Sequence, residues 1–238
     1  MKLHVALGAF GLTCAILGGP ATAAVSVGMT DTFEDGTTQG WIVGLLGASH
    51  PALPANIATG GPAGADDNYL LLTAVGGFSA GSRLTVINGS QWAGDYVASG
   101  VTGIRMDVNN FGDTDVALRL YFEDPQVGPP NNAAFSTLPM SVPAGSGWTS
   151  VFFPTASNDL TADLGSVSAA LSGATAIRLF HSTSSTYPGQ TIVAQLGVDN
   201  VQAVPEPATW AMLGIGLAAM VIGATARGRQ PARTARTA

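Results

Sequence analysis

The chain has 238 residues, 46% of them hydrophobic and only 10% charged, with 15 acidic side chains against nine basic ones. Nucleic acid and anionic membrane surfaces are poor partners for such a body, because neutralising phosphates requires Lys and Arg. With one cysteine, Cys14, the chain has no internal disulfide.

At the N-terminus, Lys2, the apolar stretch 5–17, the break Gly18-Gly19-Pro20 and the small-residue site Ala21-Thr22-Ala23 read as a signal peptide over residues 1–23. Cys14 lies inside its apolar region and leaves with it. Leu12-Thr13-Cys14 is a poor lipobox because Thr precedes the cysteine. The exported domain must therefore rely on its core, or on a metal, for stability.

Residues 25–204 then form one domain of a size that closes a full hydrophobic core. Its only basic residues are Arg83, Arg105, Arg119 and Arg178, against 14 Asp and Glu, so divalent cations and neutral glycans suit it better than polyanions. The hydrophobic period is two. Ile104, Met106 and Val108 alternate with Arg105, Asp107 and Asn109, and Val116, Leu118, Leu120 and Phe122 alternate with Ala117, Arg119, Tyr121 and Glu123. Between them Asn109-Asn110-Phe111-Gly112-Asp113 supplies turn chemistry, which predicts an antiparallel hairpin. Further strands are predicted at 29–34, 41–46, 69–73, 83–88, 135–142, 148–153, 175–181 and 190–201. About ten strands set between Gly, Pro, Asn and Asp clusters call for an all-β, antiparallel β-sandwich. One helix is predicted over 159–171, with Leu160, Leu164, Val167 and Leu171 on one face and Asn158 or Asp159 as its cap. The Gly, Pro and Ala-rich stretch 49–66 reads as a loop. Trp41, Trp92 and Trp148 read as core anchors.

Chemical motifs are sparse. Gly77-Phe78-Ser79-Ala80-Gly81 matches a nucleophile elbow with His181 downstream, but an elbow needs a strand before it and a helix after, and residues 82–88 read as another strand. Asp66-Asp67 and Glu123-Asp124 are adjacent acids whose side chains diverge, so no pair is singled out for glycoside hydrolysis. His50 and His181 stand alone, without zinc-ligand spacing. Asn88-Gly89-Ser90 reads as a turn.

At the C-terminus, Val204-Pro205-Glu206-Pro207-Ala208-Thr209-Trp210 leads into an uncharged run over 210–226, followed by Arg227, Arg229, Arg233 and Arg236. A helix of that length rises about 25 Å, the short end of a bilayer span. The arginines would keep its far end in the cytoplasm, so the body lies outside the inner membrane. This order resembles the PEP-CTERM sorting signal. The resemblance implies a Pro205-Glu206-Pro207 motif, one transmembrane helix and a basic tail over 205–238, read by an exosortase-type transpeptidase. It also implies transient inner-membrane anchoring followed by release or attachment at the cell surface.

A second resemblance rests on Asp31-Thr32-Phe33-Glu34-Asp35-Gly36, Gly40-Trp41 and the closing Gly197-Val198-Asp199-Asn200-Val201. These segments look like the opening and closing strands of jelly-roll carbohydrate-binding modules of the galactose-binding-like class. The resemblance implies a structural calcium where those strands meet, with Glu34 and Asp199 as carboxylate ligands and Asp31, Gly36 and Asp67 as further oxygen donors; calcium takes six to eight oxygens. It also implies glycan held on a sheet face or at loops. The outward positions Arg105, Asp107, Arg119, Tyr121 and Arg178 are the candidate ligand-binding set, and cross-strand ion pairs on a solvated sheet are the alternative. The expected function is a non-catalytic, exported surface protein that binds or organises extracellular polysaccharide. A purely structural adhesion protein and a glycan-active hydrolase or lyase on the same fold are the alternatives.

Overall fold

The computed structural model describes residues 24–44, 50–79, 82–125 and 129–205. The predicted signal peptide and the predicted membrane span lie outside the described residues. No helix among the described residues is long and apolar enough to cross a membrane.

Among the described residues twelve strands and one short helix follow in chain order: β1 (Thr30–Asp31), β2 (Ala55–Ile57), β3 (Tyr69–Val75), β4 (Thr85–Asn88), β5 (Gly103–Asn110), β6 (Val116–Asp124), β7 (Asn132–Ser136), β8 (Met140–Val142), β9 (Thr149–Pro154), β10 (Leu160–Leu164), α1 (Val167–Ser172), β11 (Ala176–His181) and β12 (Val193–Val204). They make two antiparallel sheets. Sheet A runs β2-β3-β12-β5-β9, with β1 also on β12; sheet B runs β10-β7-β6-β11-β4, with β8 also on β6. The fold is the antiparallel β-sandwich that the alternating pattern calls for.

The inward residues of the alternating strands form one core between the sheets. Ile104, Met106 and Val108 from β5 and Leu196 and Val198 from β12 belong to the same cluster as Leu118, Leu120 and Phe122 from β6 and Ile177 and Leu179 from β11. Each fully buried side chain of this size contributes roughly 1.5–3 kcal/mol. The first and last strands meet: Thr30 pairs with Gln202 and Asp31 with Val201.

Two expectations change. The strands 104–108 and 116–123 are not a hairpin. β5 pairs with β12 and β9, while β6 pairs with β11, β7 and β8, so the chain crosses between sheets at residues 111–115. Asn110, fully buried, pins the crossing by donating to the carbonyls of Thr114 and Val142 at 2.9 and 3.0 Å. The predicted helix over 159–171 is instead a strand, β10, followed by α1. Gly165, at φ +61°, separates them, and Ser166 rather than Asn158 or Asp159 caps the helix, its Oγ accepting from the Ala169 N–H. Leu160 pairs with Ser136 of β7, and this ladder overrides the helical spacing of the leucines.

Candidate functional site

The outer faces of the two sheets differ. On sheet B the outward residues are covered rather than solvated. Tyr121, Phe135 and Phe180 form a small second cluster with Ala133, against which Tyr187 packs from the segment after β11. Tyr187 stacks on Tyr121 at 4.3 Å between ring centroids, and Phe180 meets it edge-on at 5.4 Å. Arg119, 2% exposed, points its guanidinium at three carbonyls, those of Ser182, Ser136 and Thr137. Arg178 makes a two-pronged ion pair with Glu123, at 2.6 and 3.1 Å, and lies 5.5 Å over the Tyr187 ring. Burial raises the Glu123 carboxyl above its ordinary value, and the Arg178 hydrogen bond and charge oppose this. The Tyr121 hydroxyl donates to Asp163 at 3.0 Å.

The candidate ligand-binding set is therefore divided. Arg119, Tyr121 and Arg178 lie on sheet B, where Arg119 and Tyr121 are buried, and Arg105 and Asp107 lie on the outer face of sheet A. The five residues do not share one face. The sequence shows which side of each strand faces outward but not which sheet a strand joins, nor that residues 182–190 fold back over β6 and β11.

Sheet A carries an open outer face. Trp148, just before β9, is not a core anchor: it is half-buried on the outside, donating its indole N–H to the Gly60 carbonyl at 2.9 Å. Tyr69 meets it edge-on at 5.3 Å and Phe111 at 6.1 Å. Trp148 and Phe111 lie over Gly197 of β12, where an added Cβ would come within 2.8 Å of Trp148 and 2.9 Å of Phe111, and Tyr69 is buried beside them. Gly197 is thus the floor that lets them settle against the sheet. Phe111, 43% exposed, also walls a groove of about 590 Å³ lined by Thr73, Val75, Asp113, Val193 and Gln195. Trp41 and Trp92, by contrast, are buried.

Beside the rings lies a group of acids. Asp199 faces outward from β12 yet is only 1% exposed, and its carboxyl is pushed up to about 7, first by burial; the Asn200 N–H opposes this, and the charges of Asp67, Asp107 and Glu34 add to it. A β-bulge between Asp199 and Gln202 holds Asn200 at φ +49°, a conformation Asn tolerates. Its amide donates to Asp107 at 3.0 Å and Asp199 at 3.2 Å. Glu34 accepts from the Asn68 N–H and Asp67 from the Ala63 N–H.

Of the calcium-ligand candidates, Glu34, Asp67 and Asp199 come into this neighbourhood and Asp107 joins them. Asp31 does not. It is turned inward and accepts from the indole N–H groups of Trp41 and Trp92, at 2.8 and 2.7 Å, and from Gln91. Gly36 closes a turn through its N–H onto the Phe33 carbonyl. Among the described residues no three acidic, imidazole or thiol side chains are grouped closely enough to hold a metal ion. Ser79, the elbow candidate, shares a hydrogen bond with Ser82, and His181 Nδ1 accepts from the Ala117 N–H. Of the sorting motif, Pro205 is exposed at the end of β12, and Glu206 and Pro207 lie outside the described residues.

Residues 203–229 match the PEP-CTERM protein-sorting motif. No curated protein matches the chain. Among solved structures it resembles an exo-β-agarase at 16% identity and a TM-score of 0.51, over 76% of this chain and 25% of that one. It also resembles the family 11 carbohydrate-binding module from Clostridium thermocellum, in complex with a β-1,3-1,4-mixed-linked tetrasaccharide, at 14% identity and 0.47 over 76% and 98%. CtCBM11 in solution aligns at 14% and 0.48 over 76% and 97%. The chain spans about a quarter of the agarase, and the likeness to it is one of fold.

Proposed function

We propose that this is an exported, non-catalytic cell-surface protein whose sandwich binds polysaccharide on the outer face of sheet A. The observation that carries the reading is the pair Trp148 and Phe111 over the Gly197 floor, backed by the buried Tyr69 and running into the adjoining groove. Aromatic faces offer the apolar surface on which a pyranose ring stacks, and Asp113, Thr73 and Gln195 supply hydrogen-bond partners for hydroxyls. The sorting motif supports export and processing by an exosortase-type enzyme. Residues 210–226 anchor the chain transiently in the inner membrane, and the chain divides into a signal peptide at 1–23, the sandwich at 25–204 and the sorting signal at 205–238. A structural calcium is drawn to Glu34, Asp67, Asp107 and Asp199. Their shared negative charge supports it, and the ion would have to pull the four side chains together.

The test is binding of purified residues 25–204 to a panel of polysaccharides, including agarose, mixed-linked β-glucan and the producing cell's own matrix. Saturable binding that weakens about tenfold or more in Trp148→Ala, a loss of at least about 1.4 kcal/mol, supports the site. Binding that ignores Trp148 and Phe111 overturns it. No binding to any glycan, with self-association instead, favours a structural adhesion protein, and turnover of a glycan favours an enzyme.

A further inference from the structure

The sorting motif leaves the folded domain without a spacer. Val204 is the last residue of β12, a strand flanked by β3 and β5, and Pro205 follows it directly. The end of that strand is held from both sides. The Gly28 N–H donates to the Ala203 carbonyl at 2.8 Å, the Ala203 N–H to the Met29 carbonyl at 2.9 Å, and the Thr102 N–H to the Val204 carbonyl at 2.9 Å. Glu206 lies two residues beyond Val204, so a fully extended chain carries it about 7 Å from the last paired residue. An enzyme that closes round Pro205-Glu206-Pro207 cannot do so without touching the end of the sandwich.

That end is distinctive. It is built from residues 26–30, from 97–102 and from 155–158, the last joined to it by the Thr155 N–H donating to the Thr102 carbonyl. None of these residues is charged; the acids at its rim are Asp95, whose carboxylate is tied to the Ala98 N–H at 2.8 Å, and Asp31 and Asp159, which follow two of the segments. Val27 and Val97 expose 42% and 61% of their surface there, one beside the Gly28 contact and the other in the turn leading into Thr102. The N-terminal end of the domain reaches the same place, the Val25 N–H donating to the Ala93 carbonyl at 2.9 Å.

We propose that this end, with Val27 and Val97 as its apolar contacts, is a second recognition surface for the processing enzyme, which therefore reads the folded domain together with the motif. The inference rests on the sorting reading of residues 203–229. The partner it fits is a protein surface with apolar side chains around its cleft, set where the chain emerges. Burying valines against such a surface is favourable, and a carboxylate in their place is desolvated without a partner.

The test follows processing of the full chain in the producing cell by pulse-chase, comparing wild type, Val27→Glu with Val97→Glu, and the same double variant carrying a Gly/Ser insert of about twelve residues, about 20 Å end to end, between Val204 and Pro205. The double variant is expected to be processed roughly tenfold more slowly, as for loss of an interface anchor, and the insert to restore the rate by letting the enzyme reach the motif without meeting the domain. Processing at the wild-type rate in the double variant overturns the proposal. So does slow processing that the insert fails to restore, which would place the defect in folding. Replacing Pro205, Glu206 and Pro207 by alanine separates the two readings: if that chain is still processed, the sorting reading itself fails.

Discussion

Tyr187 lies flat on Tyr121, their rings 4.3 Å apart and 21° from parallel, and with the Arg119 bond to the Ser182 carbonyl this stack ties the segment between β11 and β12 to the outer face of sheet B. The neighbours Thr183, Ser184, Ser185 and Thr186 are exposed, so Tyr187 provides the apolar contact of its segment. Tyr187→Ala is expected to destabilise the domain by about 1–2 kcal/mol, the lower part of the range for an apolar side chain because Tyr187 is only partly buried. Glycan binding on sheet A should be unchanged. Melting curves and a binding isotherm on one preparation check both; binding that is gained or lost with Tyr187 would move the ligand face to sheet B.

Arg119 gives a second separation of structure from binding. Its guanidinium satisfies three carbonyls at once and is sealed from solvent. Arg119→Leu leaves those carbonyls without their donor, a loss of about 1–3 kcal/mol for each one that water cannot reach. Arg119→Lys should rescue little, because a single ammonium does not reproduce the planar fork. Denaturant titration of both variants is the measurement, and a Lys variant as stable as wild type would show that charge alone suffices.

How much of this was legible depends on which interaction sets each feature. The alternation in β5 and β6 was readable because each strand buries one face, and a period of two follows from that alone. Their partners were not, since facing is local and pairing is not: residues 111–115 look like hairpin chemistry, yet Asn110 ties them across the sandwich to Val142. Gly165 was a visible break inside the predicted helix, overruled there by the spacing of four apolar residues. Trp148 carried no sign of being outside, because what makes room for it is a glycine 49 positions away in β12. Arg119 and Tyr121 were correctly placed on the outward side of β6, but the cover over them comes from a Ser/Thr-rich stretch with no apolar period of its own.

Gly197 makes a sharp test of the ring platform. Gly197→Ala adds one methyl group, which must displace Trp148 or Phe111 because it would sit under 3 Å from both rings. The expected result is weakened glycan binding with a stability loss of about 1–3 kcal/mol, the range for overpacking a close contact. Tryptophan fluorescence should report the moved indole. An unshifted spectrum with intact binding would mean that the rings do not act as a unit.

The pH dependence of stability should run in opposite directions for two buried groups. Burial lowers the pKa of His181 below its ordinary 6.5, and its Nδ1 accepts the Ala117 N–H, so the folded state holds it neutral. As pH falls through 6.5 the unfolded chain takes up a proton that the folded one refuses, and stability drops. His181→Asn, which keeps an acceptor without titrating, should flatten that limb. Asp199 behaves conversely. With its carboxyl pushed up to about 7 from 3.8, the folded state holds its proton longer than the unfolded chain. Its contribution is greatest at low pH, declines as pH rises above about 4 and is lost once pH passes about 7. Calcium should cancel this second limb, because a cation among Glu34, Asp67, Asp107 and Asp199 favours the carboxylate. Melting temperatures at pH 5 and pH 8, with chelator and with calcium, for wild type and Asp199→Asn, decide it. The expected pattern is a rise on adding calcium that is larger at pH 8 and absent in Asp199→Asn; equal curves with and without the ion would leave the four acids without a metal and their mutual repulsion uncompensated.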